Sequence, residues 1–200
     1  MSRMKYLKSA VLPKDYPDAD RPEVAVAGRS NAGKSSFINC LAKAKVAHVS
    51  QVPGKTKLLN FFDFAKYRYV DTPGYGFAAR SSSEIVQWNQ MMEAYLAMRE
   101  NLAGLVLLMD IRRSWDEEEQ LLKTFCDSND LPMILVLTKA DKCKRAEVQK
   151  FLKQHQKDSQ VPVFVISSLE NKGIEDLEEY IFQEWISPAL KTPAVKGGLK

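Results

Sequence analysis

The residues from Gly28 to Ser35 have the types and spacing of a phosphate-binding loop. They read GRSNAGKS, which fits GxxxxGK followed by Ser or Thr, and an apolar run, Val24–Ala27, precedes them. Glycines let the backbone curl so that successive N–H groups point at phosphate oxygens, and a helix beginning at Lys34 adds partial positive charge. The Lys34 amine would reach the β- and γ-phosphates, and the Ser35 hydroxyl would ligate Mg²⁺. The predicted phosphate loop is Gly28, Arg29, Ser30, Asn31, Ala32, Gly33, Lys34 and Ser35.

A second segment, Thr138 to Asp141, predicts which base the site selects. It follows the apolar run Met133–Leu137, and ligands in open α/β sheets bind at the carboxyl ends of strands. The Asp141 carboxylate can accept both N1–H and the N2 amino group of guanine, whereas adenine would leave it desolvated and unpaired. The predicted guanine contacts are Thr138, Lys139, Ala140 and Asp141, together with Ser167, Ser168 and Leu169 through backbone N–H groups. Ser167-Ser168 taken alone would be a polar turn before a helix.

A third segment, Asp71 to Gly74, predicts a metal and γ-phosphate contact. It follows the run Tyr67–Val70 and reads DTPG. An acid there can hold Mg²⁺ through water, and the Gly74 N–H can sense a γ-phosphate, so that the segment changes shape on hydrolysis. Thr56, on the loop before the second predicted strand, is expected to complete the metal shell. The predicted contacts here are Asp71, Thr72, Pro73 and Gly74, with Ser35, Thr56 and Asp71 (through water) as the metal site.

Apolar runs alternate with helical patterns along the whole chain, which predicts an α/β fold. Ala65-Lys66 alone separates two of the runs, which is hairpin spacing. The other strands are each followed by a helical pattern, so the sheet should be mainly parallel and covered on both faces. Ser114 and Glu117 are predicted to form a capping box that opens one helix. The six predicted strands are Glu23–Ala27, Leu58–Phe64, Tyr67–Val70, Gly104–Met109, Met133–Leu137 and Val161–Ile166.

The 200-residue chain has the length and composition of one globular domain. Three cysteines without CxxC spacing, beside only two histidines, exclude a disulfide framework or a four-ligand zinc site and favour a reducing compartment. No apolar run approaches the roughly 20 residues that cross a bilayer, and the N-terminus has no apolar segment of signal-peptide length. We therefore expect a cytoplasmic protein without a membrane partner. Its predicted parts are an N-terminal arm over 1–21, a single domain over 22–186 and a basic C-terminal tail over 187–200.

Charge is unevenly distributed although the net charge is only +4. No Asp or Glu occurs from Val24 to Phe62, while acidic residues crowd the last helical stretch. One side of the molecule should therefore attract a polyanion such as RNA. The alternative is a solvated lysine-bearing surface. The basic residues of the acid-free stretch are Arg29, Lys34, Lys43, Lys45, Lys55 and Lys57.

These segments, in this order, resemble the five G-boxes of the translation-factor-related GTPases. GRSNAGKSSFIN, PGKTKLLNFF, VDTPGYGFA and LTKADK are similar to the EngB/YihA group of bacterial ribosome-assembly GTPases, over about Pro22 to Trp185. The resemblance implies a three-layer, Ras-like GTPase domain, most simply a monomer, that binds GTP or GDP and Mg²⁺. It also implies a role in maturing the large ribosomal subunit through its precursor or rRNA, and a link to normal cell division and septation. It adds Gly54, Lys55, Thr56, Lys57 and Leu58 to the nucleotide contacts.

Two residues depart from the commonest small-GTPase pattern. Thr138 stands where many guanine sites have Asn, which alters one tether to the phosphate loop. Tyr75 stands where Ras-type GTPases have the glutamine that orients water, so hydrolysis should be slow without a partner. In similar GTPases that lack this glutamine, an asparagine at the position of Asn31 binds K⁺; its alternative role is turn geometry. The predicted catalytic set is Lys34, Thr56, Gly74 and Asn31.

Three functional hypotheses follow from these residues. The first is a switch in which GTP hydrolysis times release from a pre-ribosomal particle. The second is a binding module in which GTP controls docking on RNA and turnover hardly matters. The third is a phosphate-loop kinase or ATPase, which Asp141 disfavours.

Overall fold

A computed structural model of the chain describes residues 4–47, 58–75 and 82–191, without the side chains of 82–85. Four predicted nucleotide contacts, Gly54, Lys55, Thr56 and Lys57, lie outside the described residues. Leu58 is described, and it directly precedes a strand. In the described part of the chain, no helix is both long and apolar enough to cross a membrane.

The centre of the molecule is one sheet of seven strands in the order β1-β3-β4-β2-β5-β6-β7. β3 runs antiparallel to both of its neighbours, while all other neighbouring strands pair in parallel. The predicted α/β fold with a mainly parallel sheet and one antiparallel strand is therefore confirmed. The strands are β1 (Met4–Ala10), β2 (Glu23–Ala27), β3 (Leu59–Phe64), β4 (Tyr67–Asp71), β5 (Leu102–Asp110), β6 (Met133–Thr138) and β7 (Val163–Val165).

The predicted strand number, six, was wrong because the N-terminal residues supply an additional edge strand. β1 lies within the stretch expected to be an arm and pairs with β3 alone, from Met4↔Phe64 to Ala10↔Leu59. Only its two end residues are buried. A mostly exposed edge strand does not need a continuous apolar run. Because the other strands were predicted from such runs, β1 was not predicted.

Helices cover both faces of the sheet, as predicted. α1 and α5 pack on one apolar cluster with Phe37 and Leu177, while α2 and α3 pack on the other with Tyr95 and Cys126. A π-helical turn, Phe182–Ile186, follows α5, and α6 carries the helical path into the predicted tail. The helices are α1 (Lys34–Ala42), α2 (Ser82–Met98), α3 (Glu117–Ser128), α4 (Arg145–Ser159), α5 (Ile174–Ile181) and α6 (Ser187–Lys191).

The start of α3 differs from the prediction. Asp116, and not Ser114, is its N-cap, and the capping partner is Glu119, whose Oε2 accepts the Asp116 N–H at 3.2 Å. The sequence SWDEEE fits the capping pattern at both positions. Glu119 also accepts hydrogen bonds from Arg29 and Tyr75, outside the helix, and these contacts favour the Asp116 cap over the Ser114 cap. A local sequence pattern cannot show contacts of this kind.

Candidate functional site

The phosphate loop connects β2 to α1 with a backbone that suits its sequence. Asn31 and Gly33 have φ angles of 64° and 100°, in the left-handed region. A Cβ at Gly28, whose φ is 150°, would overlap the Leu108 carbonyl oxygen of β5. Only glycine therefore fits the first position of the loop. α1 begins at Lys34, so its N-terminal N–H groups face the loop.

The Lys34 amine is held at the phosphate loop by the loop itself. Its Nζ donates to the carbonyl oxygens of Gly28 at 2.9 Å and Arg29 at 3.3 Å. Gly74 lies against the same place, because a Cβ there would sit 2.9 Å from both Lys34 Nζ and the Ser30 amide nitrogen. The Ser30 N–H donates to the Tyr75 carbonyl oxygen at 3.1 Å. The DTPG segment therefore packs directly on the phosphate loop.

Asp71, the last residue of β4, is a buried carboxylate beside Lys34. Its side chain is 4% exposed, and Oδ1 has no hydrogen-bond partner among the residues that the structure describes. Burial raises the pKa of Asp71 to about 6, and Lys34 opposes that rise. The neighbouring Thr72 is fixed by two hydrogen bonds to the Val26 carbonyl, from its N–H and from its hydroxyl, each at 3.0 Å. An oriented, unsatisfied carboxylate oxygen fits a metal-bound water.

Replacing Asp71 by Asn should stabilise the chain at neutral pH in the absence of Mg²⁺. The folded carboxyl has a raised pKa, so below about pH 4 both states hold the proton, and as pH rises towards 6 the ionised form increasingly costs stability. Asp71→Asn removes that cost, which amounts to at most about 3 kcal/mol above pH 6. Thermal melts of both proteins at pH 7.5 and 4.5 check this, and the gain should shrink at the lower pH. An equal gain at both values would contradict burial as the cause.

Thr138 ends β6 and tethers the TKAD segment, Thr138 to Asp141, to the phosphate loop. Its hydroxyl donates to the Ala32 carbonyl at 2.7 Å and lies 3.2 Å from the Met109 carbonyl. The tether that an asparagine makes in many guanine sites is therefore replaced here by a hydroxyl. Lys139, with a φ of 60°, donates from Nζ to the Asn31 carbonyl at 2.7 Å. The segment is joined to the loop at two points.

Asp141 is oriented by the loop that follows β7. The Ser167 hydroxyl donates to Asp141 Oδ1 at 2.7 Å, and the Ser167 backbone exchanges two hydrogen bonds with Lys172. The Ala140 N–H donates to the Ile166 carbonyl at 3.3 Å, so the two loops also meet through the backbone. Ser168 and Leu169 follow, and Leu169 is 83% exposed. The predicted base-contacting residues are thus gathered at the carboxyl ends of β6 and β7.

Sequence reasoning missed Asp110, which ends β5, the strand between those that lead into the phosphate loop and the TKAD segment. Its carboxylate binds Arg112 through both oxygens, at 2.9 and 2.6 Å, and lies 3.1 Å from Lys139 Nζ. Burial alone would raise the pKa of Asp110, but the hydrogen bonds from Arg112 and Lys139 lower it well below its ordinary value. The rule that placed Asp141, an acid at the carboxyl end of a strand, could have found it.

Glu119 on α3 was also missed, although it contacts two predicted site segments. It is 1% exposed, and its Oε1 accepts hydrogen bonds from Arg29 Nε at 2.9 Å and from the Tyr75 hydroxyl at 3.0 Å. The Arg29 guanidinium also pairs with Glu118 at 2.9 Å. Arg29 was predicted as a nucleotide contact, but the structure binds its side chain to α3 and leaves its backbone in the phosphate loop.

A phosphate loop, a DTPG segment and a TKAD segment at the carboxyl ends of a mainly parallel sheet define a GTPase of the Ras-like class. Residues 23–139 match the family described as 50S ribosome-binding GTPase. A protein of Bdellovibrio bacteriovorus called "Probable GTP-binding protein EngB" is 52% identical over 185 residues, which is 92% of each chain. The chain belongs to this EngB family, as the sequence motifs predicted, and it is a GTP-hydrolysing protein.

Solved structures support the same fold. The crystal structure of a probable GTP-binding protein EngB superposes with a TM-score of 0.66 at 24% identity, covering 80% of this chain and 96% of the other. Era in complex with MgGDPNP and a segment of 16S ribosomal RNA gives a TM-score of 0.68 at 22% identity, covering 83% and 57%. At these identities the two structures show the fold alone.

Proposed function

We propose that the chain is a GTP-controlled switch in assembly of the large ribosomal subunit, bound to its precursor or rRNA. The observation that carries this proposal is the match of residues 23–139 to the 50S ribosome-binding GTPase family. The acid-free basic stretch supports an RNA partner, because phosphate contacts supply most of the affinity in such complexes. In this proposal the protein acts as a cytoplasmic monomer, and cell division and septation depend on it through ribosome supply.

In this proposal the nucleotide contacts the phosphate loop, the DTPG segment and the TKAD segment at the carboxyl ends of the strands. Lys34 and the loop N–H groups bind the β- and γ-phosphates, and Asp141 with its neighbours binds guanine. Mg²⁺ suits the Ser35 hydroxyl and, through water, the unsatisfied Oδ1 of Asp71. Thr56 completes that shell in the proposal and lies outside the described residues. The ion would offset charge on the phosphoryl oxygens during hydrolysis.

Association with ribosomal particles should be favoured by GTP and should weaken steeply with salt. Lys43 and Lys45, exposed at the end of α1, belong to the basic stretch up to Lys57 that is proposed to contact RNA with Arg80. Each phosphate contact adds about 0.7–0.9 to the log–log salt slope on simple nucleic acids. The measurement is binding of large-subunit particles at several salt concentrations, with GTP and with GDP.

The matched variants for this experiment are two lysine pairs. Lys43→Ala with Lys45→Ala should flatten the slope, whereas Lys150→Ala with Lys153→Ala, exposed on α4, should not. Equal binding with GTP and GDP would contradict a nucleotide-gated contact. Turnover measured with and without particles separates a timing switch from a binding module, because only the switch needs hydrolysis to be accelerated.

Besides GTP and Mg²⁺, the proposal includes a K⁺ ion bound by the Asn31 side chain. The left-handed φ of 64° at Asn31 supports the alternative, since asparagine tolerates that conformation better than most residues. If the side chain holds K⁺, single-turnover hydrolysis should be faster in K⁺ than in Na⁺ at fixed ionic strength, because the cation stabilises charge on the phosphoryl oxygens. That acceleration should vanish in Asn31→Ala. Identical rates in both salts would leave Asn31 with its turn role only.

A further inference from the structure

Tyr75 is anchored at both its backbone and its side chain. Its carbonyl oxygen accepts the Ser30 N–H of the phosphate loop at 3.1 Å, while its hydroxyl donates to Glu119 Oε1 at 3.0 Å. The ring packs on Trp88, with centroids 6.0 Å apart, and the side chain is 8% exposed. A residue fixed at both ends cannot rotate without breaking a buried hydrogen bond.

Glu119 is the acceptor that makes this anchor specific. Its buried carboxylate is neutralised by Arg29 of the phosphate loop, which donates to both oxygens, at 2.9 and 3.4 Å. Burial, together with the Glu119 carboxylate, raises the pKa of Tyr75 far above its ordinary value, so the hydroxyl remains a donor. Hydrogen bonds to an ionised acceptor are the stronger kind.

The Gly74 N–H, the group predicted to meet the γ-phosphate, belongs to the peptide between Pro73 and Gly74, one residue before the Tyr75 anchor. Gly74 lies directly against the phosphate loop, because a Cβ there would sit 2.9 Å from both Lys34 Nζ and the Ser30 amide nitrogen. The carbonyl of this same peptide, that of Pro73, accepts the Trp88 indole N–H at 3.0 Å. The segment is therefore held from α2 and from α3.

We propose that the Tyr75 hydroxyl and Glu119 are positioning residues that hold the Gly74 N–H at the γ-phosphate. The residue that replaces the water-orienting glutamine thus orients a backbone donor. This inference rests on the proposed γ-phosphate contact of Gly74. GDP has no γ-phosphate, so loosening the anchor should weaken binding of the triphosphate and leave binding of GDP unchanged.

The alternative is a core tyrosine whose hydrogen bond serves stability only, and the chain contains a matched example. Tyr95 on α2 is fully buried, and its hydroxyl donates at 3.0 Å to the carboxylate of Glu23, which is paired with Arg99. Glu23 begins β2, whereas the phosphate loop follows the end of that strand. Tyr95→Phe therefore removes the same kind of bond at the amino end of β2, away from the phosphate loop.

The test compares Tyr75→Phe with Tyr95→Phe in the full chain. Affinities for GDP and for the non-hydrolysable analogue guanosine 5′-(β,γ-imido)triphosphate with Mg²⁺ are measured by titration, and stability by thermal melting. Tyr75→Phe should weaken the triphosphate about tenfold and change GDP less than about twofold. Glu119→Gln, which keeps an acceptor oxygen but loses its charge, should give a smaller shift in the same direction. Tyr95→Phe should lower the melting temperature and leave the ratio of the two affinities unchanged.

Two outcomes for Tyr75→Phe would overturn the inference: an unchanged ratio of the two affinities, or a ratio shifted towards the triphosphate. Failure of the proposed function looks different. If the wild-type chain bound no ribosomal particle with either GTP or GDP, the switch proposal would be wrong, whatever the ratio of GDP and triphosphate affinities in the tyrosine variants.

Discussion

Replacing Asp141 by Asn should weaken GTP binding by on the order of 2–4 kcal/mol and shift preference towards xanthosine nucleotides. One carboxylate that accepts two base donors is lost, and the new amide presents a donor where xanthine has a carbonyl. The Ser167 hydroxyl, 2.7 Å from Asp141 Oδ1, fixes the carboxylate that the base would meet. Titration with GTP, xanthosine triphosphate and ATP measures the effect.

The matched control is Asp176→Asn, an exposed carboxylate in the first turn of α5. It should leave all three affinities unchanged. Wild-type protein that bound ATP as tightly as GTP would contradict the guanine assignment. Loss of GTP affinity in Asp141→Asn without any gain for the xanthosine nucleotide would show that the residue orients the loop without contacting the base.

The largest stability effect is expected from Glu23, at the amino end of the central strand β2, away from the nucleotide site at the carboxyl ends of the strands. It has no exposed surface, and its carboxylate lies 2.6 Å from Arg99 and 3.5 Å from Arg68, both largely buried. Glu23→Ala leaves these two cations without their shared partner. Breaking a buried ion pair by removing one member costs about 3–5 kcal/mol. Urea unfolding of the two proteins measures the difference in free energy.

An exposed ion pair provides the comparison for Glu23. Asp127 pairs with Lys123 one turn earlier on α3, and its side chain is largely solvent-accessible. Asp127→Ala should cost less than about 1 kcal/mol, since surface pairs contribute little. If Glu23→Ala cost no more than Asp127→Ala, then the buried network would not hold this end of the sheet.

The sequence predicted those parts of the site whose geometry is encoded locally. β2 begins and ends at the predicted residues, and α1 begins at Lys34 as predicted, because a buried strand, a glycine turn and a helix start are all properties of neighbouring residues. The contact of Thr138 with the phosphate loop could also be predicted from the sequence, since parallel strands place their carboxyl ends on the same side of the sheet.

Glu119 and Asp110 show what local patterns leave out. Glu119 lies 44 residues from Tyr75 and 90 from Arg29, and neither separation has a periodic signature. In the sequence, Asp110 is one acidic residue that follows an apolar run. Its pairing with Lys139 arises because β5 and β6 are neighbours in the sheet. In both cases the side chain is placed by packing between elements, so the contact appears only once the fold is known.

The pairing of β1 with β3 has a consequence for the order in which the chain is made. β1 is synthesised before the other strands that the structure describes, but its partners run from Leu59 to Phe64, so this pairing cannot form until those residues have emerged. β4 follows β3 after only Ala65 and Lys66, and closing that short hairpin costs much less chain entropy than recruiting the distant β1. On a growing chain, β3 therefore forms its pair with β4 first. Its other side remains an open sheet edge, a site of intermolecular association, until Met4–Ala10 covers it.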